Sequence, residues 1–254
     1  MSDRIADADS LSIRIWERGL PLAVLYSMGT MDQQGPLALK DLFFPPYLLS
    51  LLSALLLLGG AYIAEHFANE YELIYSARPT SIYVGDLLLD NLPNIDLNFI
   101  VINMALFSIV FGTLYVLSKP RYVIFTLKAL ALAIAIRALF VSLTHVGIHP
   151  DTIYPGDGIF DSIYVYLNFQ TGFFFSGHTA LPFLMALIFW EKPRARFVFL
   201  SLSAVFAVAV LLAHIHYSID VLAAPFMAYG IFRIAQYLFP RDYKLIKPDY
   251  FPRP

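Results

Sequence analysis

Six stretches of this 254-residue chain carry enough consecutive apolar residues, or nearly enough, to cross a bilayer as a helix, a crossing that takes about 20 residues. They are Phe43–Ile63, Leu97–Leu117, Tyr122–Thr144, Gly177–Trp190, Phe197–His214 and Tyr217–Phe239. In hydrocarbon each segment must satisfy its own backbone amides and carbonyls, so spans of this kind are helices. The composition agrees: 59% of residues are apolar and 14% charged, where soluble domains run at roughly 45–50% and about 25%. The expected fold is therefore all-α and integral to the membrane, a six-transmembrane-helix bundle. A seventh apolar stretch, Leu20–Met31, is too short to span, and Arg14, Glu17 and Arg18 precede it. It reads as a short N-terminal interfacial helix. The expected organisation is a cytoplasmic or interfacial segment over 1–40, a six-span membrane domain over 41–240 and a cytoplasmic tail over 241–254.

Charge sets the orientation. Six spans put both termini on one side, and that side carries 13 of the 17 basic residues. The opposite loops hold one, Arg78, together with nine carboxylates: Glu65, Glu70, Glu72, Asp86, Asp90, Asp96, Asp151, Asp157 and Asp161. The positive-inside rule then makes the termini cytoplasmic and turns the acidic loops outward. The opening MSDRIADADS lacks the charged and apolar regions of a cleaved signal peptide. A net charge of −2 offers no field for nucleic acid. The absence of cysteine removes disulfides, thiolate nucleophiles and cysteine-bound metals.

On this topology His145, His149, His178, His214 and His216 fall at one depth, the outer ends of the spans. His216 and Asp220 are spaced i, i+4 and share a helix face. A carboxylate there can take the Nδ1 proton of the ring and leave the other nitrogen a stronger base or nucleophile; it could equally serve the helix dipole alone. In Ser176-Gly177-His178-Thr179 a serine can open a helix, and a glycine lets a ligand approach the backbone. The first amides then face an anion. Two such helix starts, each with an imidazole, suit phosphoryl transfer, one ring attacking or deprotonating while the other protonates the leaving oxygen. A rival metal site could use His214, His216 and Asp220, but the Ser-Gly-His-Thr segment would add nothing to it. A channel or transporter would spread polar residues over several depths.

FFFSGHTA at 173–180 and HIHYSIDVLAA at 214–224 resemble the two signature motifs of the sphingomyelin synthase family, a branch of the type 2 phosphatidic acid phosphatase superfamily. GDLLLDNLP at 85–93 and RALFVSLTH at 137–145 are weaker matches in the same order. The resemblance implies a catalytic triad of His178, His216 and Asp220 and a metal-independent reaction with no cofactor. In that reaction a phospho-head group leaves a glycerophospholipid, diacylglycerol is released, and ceramide or a similar lipid alcohol accepts the group. His216 would form a phosphohistidine or act as the base on the acceptor; Asp220 would orient it, and His178 would protonate the departing oxygen.

Three departures qualify the likeness. Gly172 stands where relatives often carry an acid, for which Asp151, Asp157 or Asp161 could substitute. Relatives in animals often carry an N-terminal sterile-alpha-motif domain, whereas only about 40 residues precede the spans here. The phosphatase branch typically has K-x6-R-P, but Lys128 and Arg137 are nine apart with Ala138 following, and Val210 stands where that branch has arginine. Few cations favour a singly charged phosphodiester over a phosphomonoester. A lipid phosphatase or phospholipase C-like hydrolase is the alternative.

Ser176, Gly177, Thr179, Arg137, His149 and Tyr217 are the expected substrate- or phosphate-binding residues. Lys128 is expected to find a buried partner or to snorkel inward. The partners are membrane lipids (a glycerophospholipid donor and ceramide or diacylglycerol), with a homo-oligomer left open. The substrate cavity is expected to open sideways to the bilayer. A bacterial inner membrane fits the short basic loops as well as a eukaryotic endomembrane or plasma membrane does.

Overall fold

The computed structural model describes residues 37–76, 78, 81–143, 146–152, 156, 158–166 and 174–248. The expected interfacial helix at Leu20–Met31 lies outside them. Among the described residues regular structure is entirely helical. A 3₁₀ turn at Leu39–Phe43 leads into α1 (Leu48–Ser76). Then come α2 (Phe99–Leu117), α3 (Pro120–Leu143), the short α4 (Ile159–Tyr166), α5 (Gly177–Ile188), α6 (Pro193–Leu212), α7 (Ser218–Leu238) and α8 (Pro240–Ile246).

Five of these, α1, α2, α3, α6 and α7, are long and apolar enough to cross a membrane, as a multi-pass protein requires. The expected fourth span falls short: α5 has 12 residues, about 18 Å at 1.5 Å per residue. The first span is longer than its hydropathy implied. It runs on past Ile63 to Ser76, because Glu65, Asn69 and Glu72 turn toward protein: Asn69 and Glu72 are buried and Glu65 pairs with Arg137.

Helix α3 is the axis of the bundle. α1 packs along it, and α2, α5, α7 and α8 touch it as well. The residues it buries include Ala129, Ala131, Ala133 and Ala138, and small side chains let neighbouring backbones approach where lipid supplies no hydrophobic drive. Large apolar side chains such as Leu49, Leu56, Phe107 and Phe226 stay exposed, as befits a surface solvated by acyl chains. At one end Tyr122 stacks on Phe189 at 4.5 Å, and Phe125 meets Tyr243 of α8 at 4.8 Å. There Lys128 finds its buried partner. Its ammonium donates to Asp242 at 2.7 Å and to Ser50 at 2.8 Å, and Ser50 donates to the other Asp242 oxygen at 2.6 Å.

Candidate active site

The opposite end carries the histidines. Two helices begin there side by side, and their starts are joined through the main chain: the Ser176 amide donates to the Asp220 carbonyl at 3.1 Å. Ser176 is the N-cap of α5 and fully buried, but its side chain makes no capping bond. The first rung of α5 runs from Ala180 N to Ser176 O, so the amides of Gly177, His178 and Thr179 precede the ladder and carry the positive end of the helix. Thr179 is held inside by Ser203, whose hydroxyl donates to its carbonyl at 2.8 Å.

The rings of His178 and His216 lie 6.2 Å apart, centroid to centroid, at 69°. His216 Nδ1 faces Asp220 Oδ2 at 3.4 Å, a long contact, while the same oxygen accepts the Tyr217 amide at 3.1 Å. An ionised carboxylate only accepts, so Nδ1 carries the proton and Nε2 the lone pair. For His178 the order is reversed. Its Nε2 lies 3.1 Å from the Val101 carbonyl and 3.3 Å from the Tyr164 hydroxyl. A carbonyl cannot donate, so Nε2 holds the proton there and Nδ1 is the nitrogen open to exchange. Burial pushes the Tyr164 phenol well up, against a smaller opposing pull from Arg137, and keeps it neutral beside the ring.

Arg137 reaches the same place from α3. Its Nε donates to the Phe175 carbonyl at 3.1 Å, and its Nη1 pairs with Glu65 of α1. A Cβ on Gly177 would lie 3.6 Å from that guanidinium. One cation thus ties α1 and α3 to the segment that starts α5.

A cavity of about 600 Å³ opens from these groups. It begins at Arg137, Gly177, His178 and His216 and follows apolar side chains to Leu39, Phe43 and Leu117 at the far end of the bundle. Its walls are α1 (Leu51, Leu55, Tyr62) and α2 (Ser108, Gly112, Val116). Both rest on α3 and make little contact with each other, so the cavity fills the cleft between two helices that border lipid. Among the residues lining it, Arg137 is the one Lys or Arg and Glu65 the one carboxylate.

Two expected site residues sit elsewhere. The Tyr217 hydroxyl donates to the Gly147 carbonyl at 2.6 Å and accepts the Val84 amide at 3.2 Å, and its ring stacks on Tyr83 at 5.6 Å. It braces loops. Gly147 itself donates to the Ile82 carbonyl at 3.1 Å, and a Cβ on it would strike the Ile82–Tyr83 backbone. His149 packs on Tyr83 at 4.6 Å and on His214 at 4.4 Å. Burial, and then the neighbouring His214, push its pKa down. His145, Gly172 and Asp157 lie outside the described residues. Asp161 accepts the Gly156 amide at 2.9 Å, and Asp151 lies against the His149–His214 pair, so neither stands between the rings of His178 and His216.

Sequence reading passed over three contributors. Tyr164 and Glu65 lay in stretches read as loop, and nothing in their spacing announced a partner. Asp86 did carry a signal, since it belongs to GDLLLDNLP. Its Oδ2 accepts the Ser218 amide at 2.7 Å at the first turn of α7, and its Oδ1 accepts the amides of Leu88 at 2.9 Å and Leu89 at 3.2 Å. Burial works against its charge, but the Ser218, Leu89 and Leu88 amides outweigh that and hold its carboxyl below the usual range. Asp90 completes the brace by accepting the Tyr83 hydroxyl at 2.6 Å and the Asp86 amide at 3.0 Å.

Residues 171–237 match the family model described as PAP2 superfamily C-terminal. The match takes in α5, α6 and nearly all of α7, the helices that carry both histidines and Asp220. It supports the superfamily and does not distinguish the sphingomyelin synthase branch within it. No curated protein and no solved structure shows significant similarity to the chain.

Proposed function

We propose that this protein is an integral membrane phospholipid head-group transferase that moves a phospho-alcohol from a glycerophospholipid to ceramide or a similar lipid alcohol and releases diacylglycerol. The observation that carries the proposal is the 6.2 Å spacing of the His178 and His216 rings across two joined helix starts. A tetrahedral phosphate fits between rings so spaced. The α5 amides and dipole receive its oxygens.

In the proposed reaction His216 Nε2 attacks phosphorus. The N–P bond forms, the P–O bond to diacylglycerol breaks, and the departing oxygen takes a proton from Nδ1 of His178, which enters this step as the imidazolium and leaves it as the neutral ring with its proton on Nε2. The acceptor hydroxyl then attacks phosphorus, the N–P bond breaks, and His178 takes up the hydroxyl proton. Asp220 holds the His216 tautomer and balances the charge on that ring. A general-base route, with His216 deprotonating the acceptor while it attacks the donor directly, uses the same atoms. Burst kinetics with a trapped phosphohistidine separate the two.

Charge supports a diester donor. The one lining cation, Arg137, is already paired with Glu65, which leaves little to hold the nearly two negative charges of a phosphomonoester. The apolar cleft between α1 and α2 supports two lipid reactants arriving from the bilayer. With the orientation expected from the basic loops, the chemistry takes place on the non-cytoplasmic face.

The test is purified protein with labelled phosphatidylcholine, phosphatidylethanolamine and phosphatidylinositol, with and without ceramide. A new lipid that forms only with ceramide supports transfer. Diacylglycerol released equally without ceramide assigns the hydrolase instead, and no product in any arm rejects both.

A further inference from the structure

Beside the catalytic pair lies a second cluster that the proposed reaction does not use. His149, Asp151 and His214 each bring one ligand atom to within 4.8 Å of the others. We propose that these three residues bind a divalent transition-metal ion of the zinc class, which joins the 146–152 loop to the α6–α7 connection.

His214 is 5% exposed, and neither of its ring nitrogens has a hydrogen-bond partner among the described residues. Buried polar groups ordinarily find partners, and two orphaned nitrogens on one ring leave donor capacity directed at the neighbouring His149. The backbone also favours another residue there. His214 takes φ 54°, which glycine would adopt without strain, yet the position holds an imidazole. His149 Nδ1 accepts the Asp151 amide at 3.1 Å, which places the ring proton on Nε2, so ligation through either nitrogen replaces that hydrogen bond and is coupled to proton movement. Asp151 is exposed and adds a carboxylate that neutralises part of the ion's charge.

Two imidazoles and one carboxylate are borderline donors that suit zinc over calcium or magnesium. In a tetrahedral shell with bonds of about 2.0–2.1 Å, donors sit roughly 3.4 Å apart, so side-chain adjustment of about 1 Å closes the site. The backbone is already fixed for this. The Thr152 hydroxyl donates to the His214 carbonyl at 2.9 Å, and the Asn94 amide donates to the Asp151 carbonyl. The fourth position is left to water. The site differs from the His214, His216 and Asp220 set that the sequence suggested, because Asp220 is engaged with His216 and the Tyr217 amide.

The proposal stands apart from the transfer reaction and is tested by binding alone. Full-length protein in lipid nanodiscs, stripped with chelator, is titrated with Zn²⁺, and bound metal is counted by elemental mass spectrometry. Co²⁺ substitution reads the coordination number from its visible absorption band. One equivalent is expected in the parent. His149→Gln, Asp151→Asn and His214→Gln should each weaken binding by at least the roughly 10–100-fold that loss of an outer-shell partner costs. Asp151 is exposed, so Asp151→Asn remains a valid probe if a histidine variant does not fold. The double variant His216→Gln/Asp220→Asn should bind as the parent does. Absence of stoichiometric metal in the parent overturns the proposal, as does binding that survives the first three variants or disappears with the double variant.

Discussion

The amide of Ser176 and the carbonyl of Asp220 are 3.1 Å apart and hydrogen-bonded. Through that one bond the cap of α5 and the first turn of α7 become a single rigid unit, and His178 and His216 inherit their spacing from it. Preorganisation of this kind matters because reacting groups displaced by about 1 Å can lose 10²-fold in rate.

His178→Ala and His216→Ala should each lower turnover in the lipid-product assay by at least about 10³, and the double variant should fall little further, since residues acting as one unit are not additive. Asp220→Asn should also lower turnover, by up to about 10⁴, through the wrong tautomer. Turnover near the parent's in either alanine variant would remove the pair from the mechanism.

Arg137 does two jobs at once, with Nε on the Phe175 carbonyl and Nη1 on Glu65. A lysine has one nitrogen and lacks the planar fork. Arg137→Lys should therefore cost about 10–10² in kcat/KM, by the displacement cost already given, while the protein stays folded by size-exclusion profile. Unchanged kinetics would mean that the guanidinium serves packing alone.

The all-helical, multi-pass character was legible because hydrocarbon leaves so few solutions for a backbone, although five of the six expected spans are long enough to cross among the described residues. What escaped were the places where a charge has a partner. Hydropathy stops α1 at Ile63 because Glu65 and Glu72 count as polar, and no scale knows that Arg137 waits across the interface. The convergence of histidines was legible too, but as one group. The structure separates it into His178 with His216 and His149 with His214, a division that depends on where 146–152 folds. Tyr217 shows the limit of adjacency. It neighbours His216 in sequence, yet as N-cap of α7 it points its ring at Tyr83 and Gly147.

Asp86 makes stability pH-dependent in a defined direction. Its native pKa is held below the ordinary 3.8, so the stabilisation from its ionised form is complete above that value. It is lost as pH falls through the lower native one. Asp86→Asn should lower stability by about 1–2 kcal/mol near pH 7, as for loss of a helix cap. In thermal melts the gap between parent and variant should hold from neutral pH down to about 5 and narrow below about 4. A gap that widens in acid would refute the assignment.

Lys128 and Asp242 have side chains 8% and 9% exposed. Removing one partner, by Lys128→Ala or Asp242→Ala, should cost about 3–5 kcal/mol, and the apolar double replacement Lys128→Met/Asp242→Leu should cost much less. Detergent-resistance or thermal-unfolding curves would measure both. Equal losses in single and double variants would show that the pair is no pair energetically.

That last contact has a bearing on biosynthesis. Lys128 is threaded into the membrane more than a hundred residues before its counter-ion is made, and domains generally assemble in the order of synthesis. Until α8 is made, the third helix therefore carries an ammonium without its counter-ion. Seating of Asp242 by α8 is thus a late step of assembly, and a chain interrupted before α8 would hold its histidine pair while its third helix lacked a counter-ion.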